Sequence, residues 1–176
     1  TSASVIIEDK GVKILCDPWL VDGEFYGSWY HYPPIDFVPE DFDDVDFIYI
    51  SHIHPDHFSM KTLSKMKKTI PILIHEFHFK FLRDKIDKMG FPVIELKHNE
   101  RTLLKNNLFI NILAADNCDP QLCNKFFGCG LMENNFGSTS IDTMCVIDNG
   151  EKSIVNTNDC PFQLAETSTK IIKNSY

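Results

Sequence analysis

The chain has 176 residues, 43% of them hydrophobic and 24% charged, which suits one globular domain whose core needs no disulfide staples. A formal net charge of −8 disfavours nucleic acid and anionic membrane as partners. A small anionic substrate remains compatible with it, because a bound metal supplies positive charge that the sequence sum omits. There is no apolar run of about 18 residues, so no transmembrane helix is expected.

In chain order, "ASVIIEDKGVKILCDPWL" reads as a hairpin turning at Asp9-Lys10-Gly11. "DGEFYGSWYHYPPIDF" is too rich in Gly and Pro to be regular and reads as a long aromatic loop. Its aromatics either wall a pocket or pack on the core. "DVDFIYIS" is a short buried strand. "SMKTLSKMKK" has helical spacing, with Ser59 as N-cap and Leu63 and Met66 on one face. "IPILIHEF" is a buried strand, "FKFLRDKIDKMG" an amphipathic helix stopped by Gly90, and "FPVIEL" a strand. "RTLLKNNLFINILAA" holds two strands turning near Lys105–Asn107, and a loop from Asp116 to Ser140 follows. "IDTMCVIDNGEKSIVNTND" is a hairpin around Asp148-Asn149-Gly150, and "PFQLAETSTKIIKN" starts a helix. Strand pairs at both ends with strand–helix units between them suit an α/β protein of mixed sheets with helices outside.

Six cysteines, at 16, 118, 123, 129, 145 and 160, read as mostly reduced, which places the protein in the cytoplasm. Cys118, Cys123 and Cys129 are spaced C-x4-C-x5-C, not a common zinc pattern, and read as loop or core thiols. The chain does not begin with Met and opens directly on strand, so residues 1–176 read as a single domain within a longer chain.

The chemistry concentrates in "SHIHPDHFS", where His52, His54, Asp56 and His57 fall within six positions. In extended chain His52 and His54 point the same way, and two imidazoles can meet one metal. Pro55 bends the chain, so that Asp56 and His57 can face a second point about 3.5–4 Å away, as in two-metal sites. One histidine alone would read as an ordinary core or surface residue. Three with an aspartate, between a strand and a helix, read as a metal site.

H-x-H-x-D-H after an apolar strand resembles the signature of the metallo-β-lactamase superfamily. "VKILCDPWL", "VDFIYISHIHPDHFSMKTLSKM" and "DTMCVIDNGEKSIVNTNDC" are similar to the metallo-β-lactamase-like domain of CMP-N-acetylneuraminate hydroxylase-like proteins. The resemblance implies a four-layer αβ/βα sandwich, here lacking its C-terminal part, with one or two divalent metals between the sheets. Zinc is expected, with iron or manganese as alternatives. Carried over by position, His52 and His54 hold the first metal, Asp56 and His57 the second, and Asp159 bridges them.

Two departures stand out. Where the superfamily supplies a further histidine, after a strand like "NLFINILAA", this chain has Asp116-Asn117. Asp116 is the expected substitute, an oxygen donor that shifts preference towards harder metals; as a plain reading it is a turn residue. The superfamily's late histidine is also missing, since none follows His98. Of the others, His75 and His78 read either as partly buried histidines or as groups at the site mouth. His98 reads as a loop residue, and His31 as a residue of the aromatic loop.

Three functions are compatible with this pattern. The first is a hydrolase using a metal-bound hydroxide on an ester, lactone, phosphodiester or sugar-nucleotide-like substrate, with Asp56 also taking the proton during attack, as the resemblance implies. Its partner is a small molecule, such as an acidic sugar or sugar nucleotide. The second is a domain of a sialic-acid-type sugar hydroxylase or related sugar-modifying system. The Rieske cluster of such a system needs paired Cys and His ligands, and this chain has no C-x-H or C-x-x-H. The third is a non-catalytic metal-binding domain. Oligomeric state is not encoded in any recognisable pattern.

Overall fold

The computed structural model describes residues 2–77, 80–114, 142–160 and 166–176. Asp116, His78 and the cysteines at 118, 123 and 129 lie outside the described residues.

The expected N-terminal hairpin forms from β1 (Val5–Asp9) and β2 (Val12–Cys16), with Lys10 and Gly11 both at positive φ in the turn. Glu24–Gly27 follows as a single turn, α1, whose Phe25 and Tyr26 have left-handed backbone. Within the aromatic loop, Trp19 is buried and its ring lies 4.3 Å from that of His31. Tyr26, Tyr30 and Tyr32 point into solvent. His31 is tied down within the loop, Nδ1 lying 2.6 Å from Asp22 Oδ1 and Nε2 3.1 Å from the Trp19 carbonyl.

Next come β3 (Phe47–Tyr49), α2 (Met60–Lys65), β4 (Ile72–His75), α3 (Phe81–Lys88) and β5 (Val93–Leu96). The first sheet has the order β1-β2-β3-β4-β5, with β2 to β5 parallel. The second part of the chain supplies β6 (Thr102–Lys105), β7 (Leu108–Ala114), β8 (Thr143–Asp148) and β9 (Ser153–Asn156), antiparallel in that order, and then α4 (Glu166–Ser175).

The period-2 alternation of the strands distributes their side chains over three apolar clusters. Ile48, Ile50, Ile72 and Ile74 face out from the first sheet and pack on Leu63, Met66, Leu82 and Ile86 of the α2 and α3 segments. Ile14, Tyr49 and Leu73 face the other way and meet Ile110, Ile112, Cys145 and Ile147 of the second sheet. Leu113, Met144 and Val146, on the outer face of that sheet, are covered by Ile171 and Ile172 of α4. The order helix, sheet, sheet, helix is the expected four-layer sandwich. It explains why β4 and β8 are buried throughout: strands covered on both faces carry near-continuous apolar runs.

Ser59 caps α2 as its position suggests. Its Oγ accepts from the Thr62 amide at 3.1 Å and donates to Glu24 Oε1 at 2.7 Å. Thr62 Oγ1 in turn accepts from the Leu20 amide at 2.9 Å, so one buried network holds the aromatic loop against the helix that follows the histidine motif. Ser59→Ala removes the cap and strands the buried Glu24 carboxylate. The expected cost is about 1–2 kcal/mol, measured by denaturant unfolding. A loss below about 0.3 kcal/mol would mean that water replaces the cap freely.

Among the described residues no helix is long and apolar enough to cross a membrane.

Candidate metal centre

The parallel strands β2 and β3 end side by side, with Cys16 paired to Tyr49, and the chain beyond each end carries polar residues. After β2 comes Asp17, with φ of 44°, a left-handed conformation that short polar side chains tolerate. After β3 come Ile50, Ser51 and then His52. This is the carboxyl end of the parallel strands, where open α/β sheets place their sites. The second sheet delivers carboxylates to the same place. Asp142 precedes β8, whose first residue pairs with Ala114 at the end of β7. Asp159 follows β9, whose last residue, Asn156, pairs with Cys145 near the start of β8.

His52 Nε2 and His54 Nδ1 are 2.9 Å apart, and Asp142 Oδ1 lies 3.6 Å from His52 Nε2. His57 Nε2 is 3.0 Å from Asp159 Oδ2 and 3.6 Å from Asp56 Oδ2. Two sets of three donors, His52–His54–Asp142 and His52–His57–Asp159, each have all their ligand atoms within 4.8 Å of one another, and either can hold a metal ion. Asp56 is outside both sets; its Oδ2 also accepts the Ser2 hydroxyl at 3.0 Å. The two sets thus contain His52, His54, His57 and Asp159 of the expected ligands, with Asp56 beside them, while Asp142 is an addition. Its only sequence signal is its place, a carboxylate immediately before the buried strand "TMCVID".

Hydrogen bonding decides which imidazole nitrogens are free. Asp17 is fully buried and accepts from the Ser51 amide at 2.7 Å, from Ser51 Oγ at 2.7 Å and from His57 Nδ1 at 3.0 Å. The Ser51 hydroxyl has one proton and spends it on Asp17, so at 2.9 Å from His52 Nδ1 it is the acceptor. His52 thus carries its proton on Nδ1 and presents a bare Nε2 lone pair to His54 Nδ1. His57 likewise donates from Nδ1 and turns Nε2 towards Asp159. Lone pairs converging on each other and on carboxylates repel unless a proton or a cation lies between them.

The residues pass a second test of fit. Asp142 Oδ1 is buried and has no hydrogen-bond partner among the described residues. Such an orphan costs free energy unless something positive satisfies it. Burial, opposed by His54 and His57 and reinforced by Asp159, pushes the Asp142 carboxyl up to about 6. A metal ion between the bare His52 Nε2, His54 and Asp142 would satisfy that oxygen.

Protonation of the metal-free centre follows the same geometry. Burial, with the neighbouring His57 and His54 charges, drives His52 down to about 2. Burial works against the charge of His57 too, but the Asp17 hydrogen bond and charge, with Asp159 and Asp56 behind them, push it up to about 9. Asp17 itself is raised by burial, against the donors from His57 and Ser51. A histidine raised above its ordinary 6.5 stabilises the fold fully below that pH and loses this contribution as pH climbs through about 9. A histidine depressed below 6.5 disfavours the fold as pH falls beneath 6.5, where the unfolded chain takes up the proton. Chelator-treated protein should therefore lose, through His57, on the order of 3 kcal/mol of stability between neutral and mildly alkaline pH. Melting temperature against pH, with and without chelator, is the check. A flat metal-free profile across that window would contradict the assigned His57–Asp17 pair.

The other described histidines, His31, His75 and His98, belong to neither donor set. His75 Nδ1 is 3.2 Å from the Leu96 carbonyl, and His98 Nδ1 accepts from the Ala114 amide at 3.1 Å. Cys16 and Cys145 are buried free thiols and Cys160 a half-buried one, in keeping with reduced cysteines.

Comparison with known proteins agrees with this architecture. A protein of Mycolicibacterium smegmatis named for a Rieske 2Fe-2S cluster is 37% identical over 93 residues, which are 51% of this chain and 17% of that protein. Cytidine monophosphate-N-acetylneuraminic acid hydroxylase of Sus scrofa is 41% identical over 61 residues, 34% of this chain and 14% of that enzyme. This chain thus spans less than a fifth of the length of these curated relatives. Among solved structures, an isothiocyanate hydrolase from Delia radicum gut bacteria superposes with a TM-score of 0.63 at 20% identity, covering 88% of this chain and 58% of that one. That likeness is one of fold. The family model described as the Beta-lactamase superfamily domain matches residues 1–119, and with two thirds of its length so matched the chain belongs to that superfamily.

Proposed function

We propose that the protein is a metal-dependent hydrolase whose first metal is held by His52, His54 and Asp142 and whose second is held by His57 and Asp159, with Asp56 beside it. The observation that carries this reading is the approach of the bare His52 Nε2 to His54 Nδ1, at 2.9 Å, beside an Asp142 oxygen without a hydrogen-bond partner among the described residues. A mixed nitrogen and oxygen donor set suits zinc, iron or manganese. A metal bound there would supply Lewis acidity, bringing the ionisation of water towards neutral pH and polarising the bond to be broken. The chain's own residues do the rest. Asp17 and Ser51 fix the tautomers and orientation of His57 and His52. Asp56 is the carboxylate that takes the proton during attack. The substrate is a small electrophile: an ester, lactone, phosphodiester or sugar-nucleotide-like compound. The test is metal-restored hydrolysis of such a panel after chelation, absent in His54→Ala. Bound metal with no turnover on any of them would support a non-catalytic metal-binding domain instead.

A second reading is favoured by the 41% identity to the Sus scrofa hydroxylase: this domain as one part of a sugar-hydroxylating system. The 176 residues contain no Cys–His pair that could ligate a Rieske cluster, so such a cluster would sit on another segment or partner. A full-length protein without iron–sulfur absorbance, alone or with its partner, would remove this reading.

A further inference from the structure

The three segments that carry the candidate ligands meet at one buried threonine. Thr143 Oγ1 donates to the Ser51 carbonyl at 2.8 Å, and Ser51 immediately precedes His52. Having spent its proton there, the same oxygen accepts from the Tyr49 hydroxyl at 2.6 Å. The Thr143 carbonyl accepts from Asn158 Nδ2 at 3.1 Å, and Asn158 immediately precedes Asp159. Asp142 itself is the residue before Thr143. Each contact is thus one peptide bond from a ligand of the first or second set.

Tyr49 and Ser51 belong to the first sheet and its C-terminal edge, Thr143 to the second sheet. Most of the contact between the inner faces is made by apolar side chains such as Ile14, Leu73, Ile110 and Ile147. Apolar contact is non-directional and tolerates sliding, whereas a buried hydroxyl chain fixes direction and distance. Both Tyr49 and Thr143 are fully buried, so breaking the chain leaves groups that water cannot reach.

We propose that Thr143, together with Tyr49, is a positioning residue of the metal centre: a latch across the two sheets that holds Asp142 and Asp159 at ligating distance from His52, His54 and His57. The inference rests on the metal-centre reading above. It gives Thr143 no contact with metal or substrate.

Zinc affinity by chelator competition, measured on purified protein beside the melting temperature of the metal-free form, tests it. Thr143→Val keeps the shape and removes the hydroxyl, while Thr143→Ser keeps the hydroxyl. The expected result is a loss in zinc affinity of about 10–100-fold for Thr143→Val, and a change within about threefold for Thr143→Ser. Tyr49→Phe leaves the Thr143–Ser51 bond in place and should give a smaller loss in the same direction. A merely structural role would lower the metal-free melting temperature and leave zinc affinity unchanged where the variants are folded; that outcome overturns the latch. If Thr143→Val does not fold, Tyr49→Phe decides, and unaltered affinity there overturns it equally. Wild-type protein that binds none of zinc, iron and manganese would overturn the metal-centre reading and the latch with it.

Discussion

His52→Ala should strip the protein of the metal equivalent held by His52, His54 and Asp142. His52 has one free nitrogen, Nε2, which faces His54 Nδ1 at 2.9 Å and Asp142 Oδ1 at 3.6 Å, so it serves the first metal. Structural zinc sites are worth about 10–16 kcal/mol over roughly four ligands, so losing one ligand costs about 3–4 kcal/mol, or 100–1,000-fold in affinity. The second site, at His57 and Asp159, keeps its ligands in that variant. His57→Ala, by contrast, leaves His52, His54 and Asp142 in place and should spare one equivalent. Elemental analysis of protein purified without added metal, followed by chelator competition, separates the two. Full metal content in His52→Ala would mean that the metal sits elsewhere and would dismantle the proposed centre.

Asp17→Asn should destabilise the metal-free protein by about 3–5 kcal/mol, the usual cost of breaking a buried ion pair from one side. The substitution is close to isosteric, and asparagine accepts the left-handed φ of 44° that aspartate adopts here, so backbone strain does not confound it. What changes is hydrogen-bonding capacity. The carboxylate oxygens accept three donors: the Ser51 amide and hydroxyl, each at 2.7 Å, and His57 Nδ1 at 3.0 Å. An amide has one oxygen and turns an NH2 towards at least one of those donors. His57 then loses the partner that holds its charge and its ring. Freed from Asp17, the Ser51 proton can turn towards His52 Nδ1 and switch that imidazole to the wrong tautomer for ligation. Equilibrium denaturation gives the stability, and zinc affinity should fall about 10–100-fold in parallel. Stability lowered by less than about 1 kcal/mol would show that the His57–Asp17 contact is not the anchor described here.

Much of the centre was legible because its residues are neighbours in sequence. His52, His54, Asp56 and His57 lie within one turn of chain, so their convergence depends on local geometry that the spacing already constrains. Asp159 was found by resemblance. Asp17 was visible only as part of "DPWL", with nothing local to reveal that it accepts from Ser51 and His57 across 34 and 40 residues. Asp142 has no local signal either: the expected place for a further ligand is the end of β7, where Asp116 lies outside the described residues. The antiparallel pairing of β7 and β8 brings the start of one beside the end of the other, and so offers an equivalent position from a distant segment. Pairing between strands that far apart in sequence has no local periodicity to announce it.

Local sequence is enough to set the local devices: the β1–β2 turn at Lys10-Gly11, the Ser59 cap, the stop at Gly90 and the alternation that commits each strand to two faces. Backbone sterics and neighbouring hydrogen bonds govern these within a few residues. Packing of the layers settles which strand ends share an edge, which nitrogen of His52 and of His57 faces the centre, and that one threonine hydroxyl joins both sheets beside the ligands. Those outcomes depend on burying apolar faces against each other, and burial rewards area without naming the residues that the packed layers bring together.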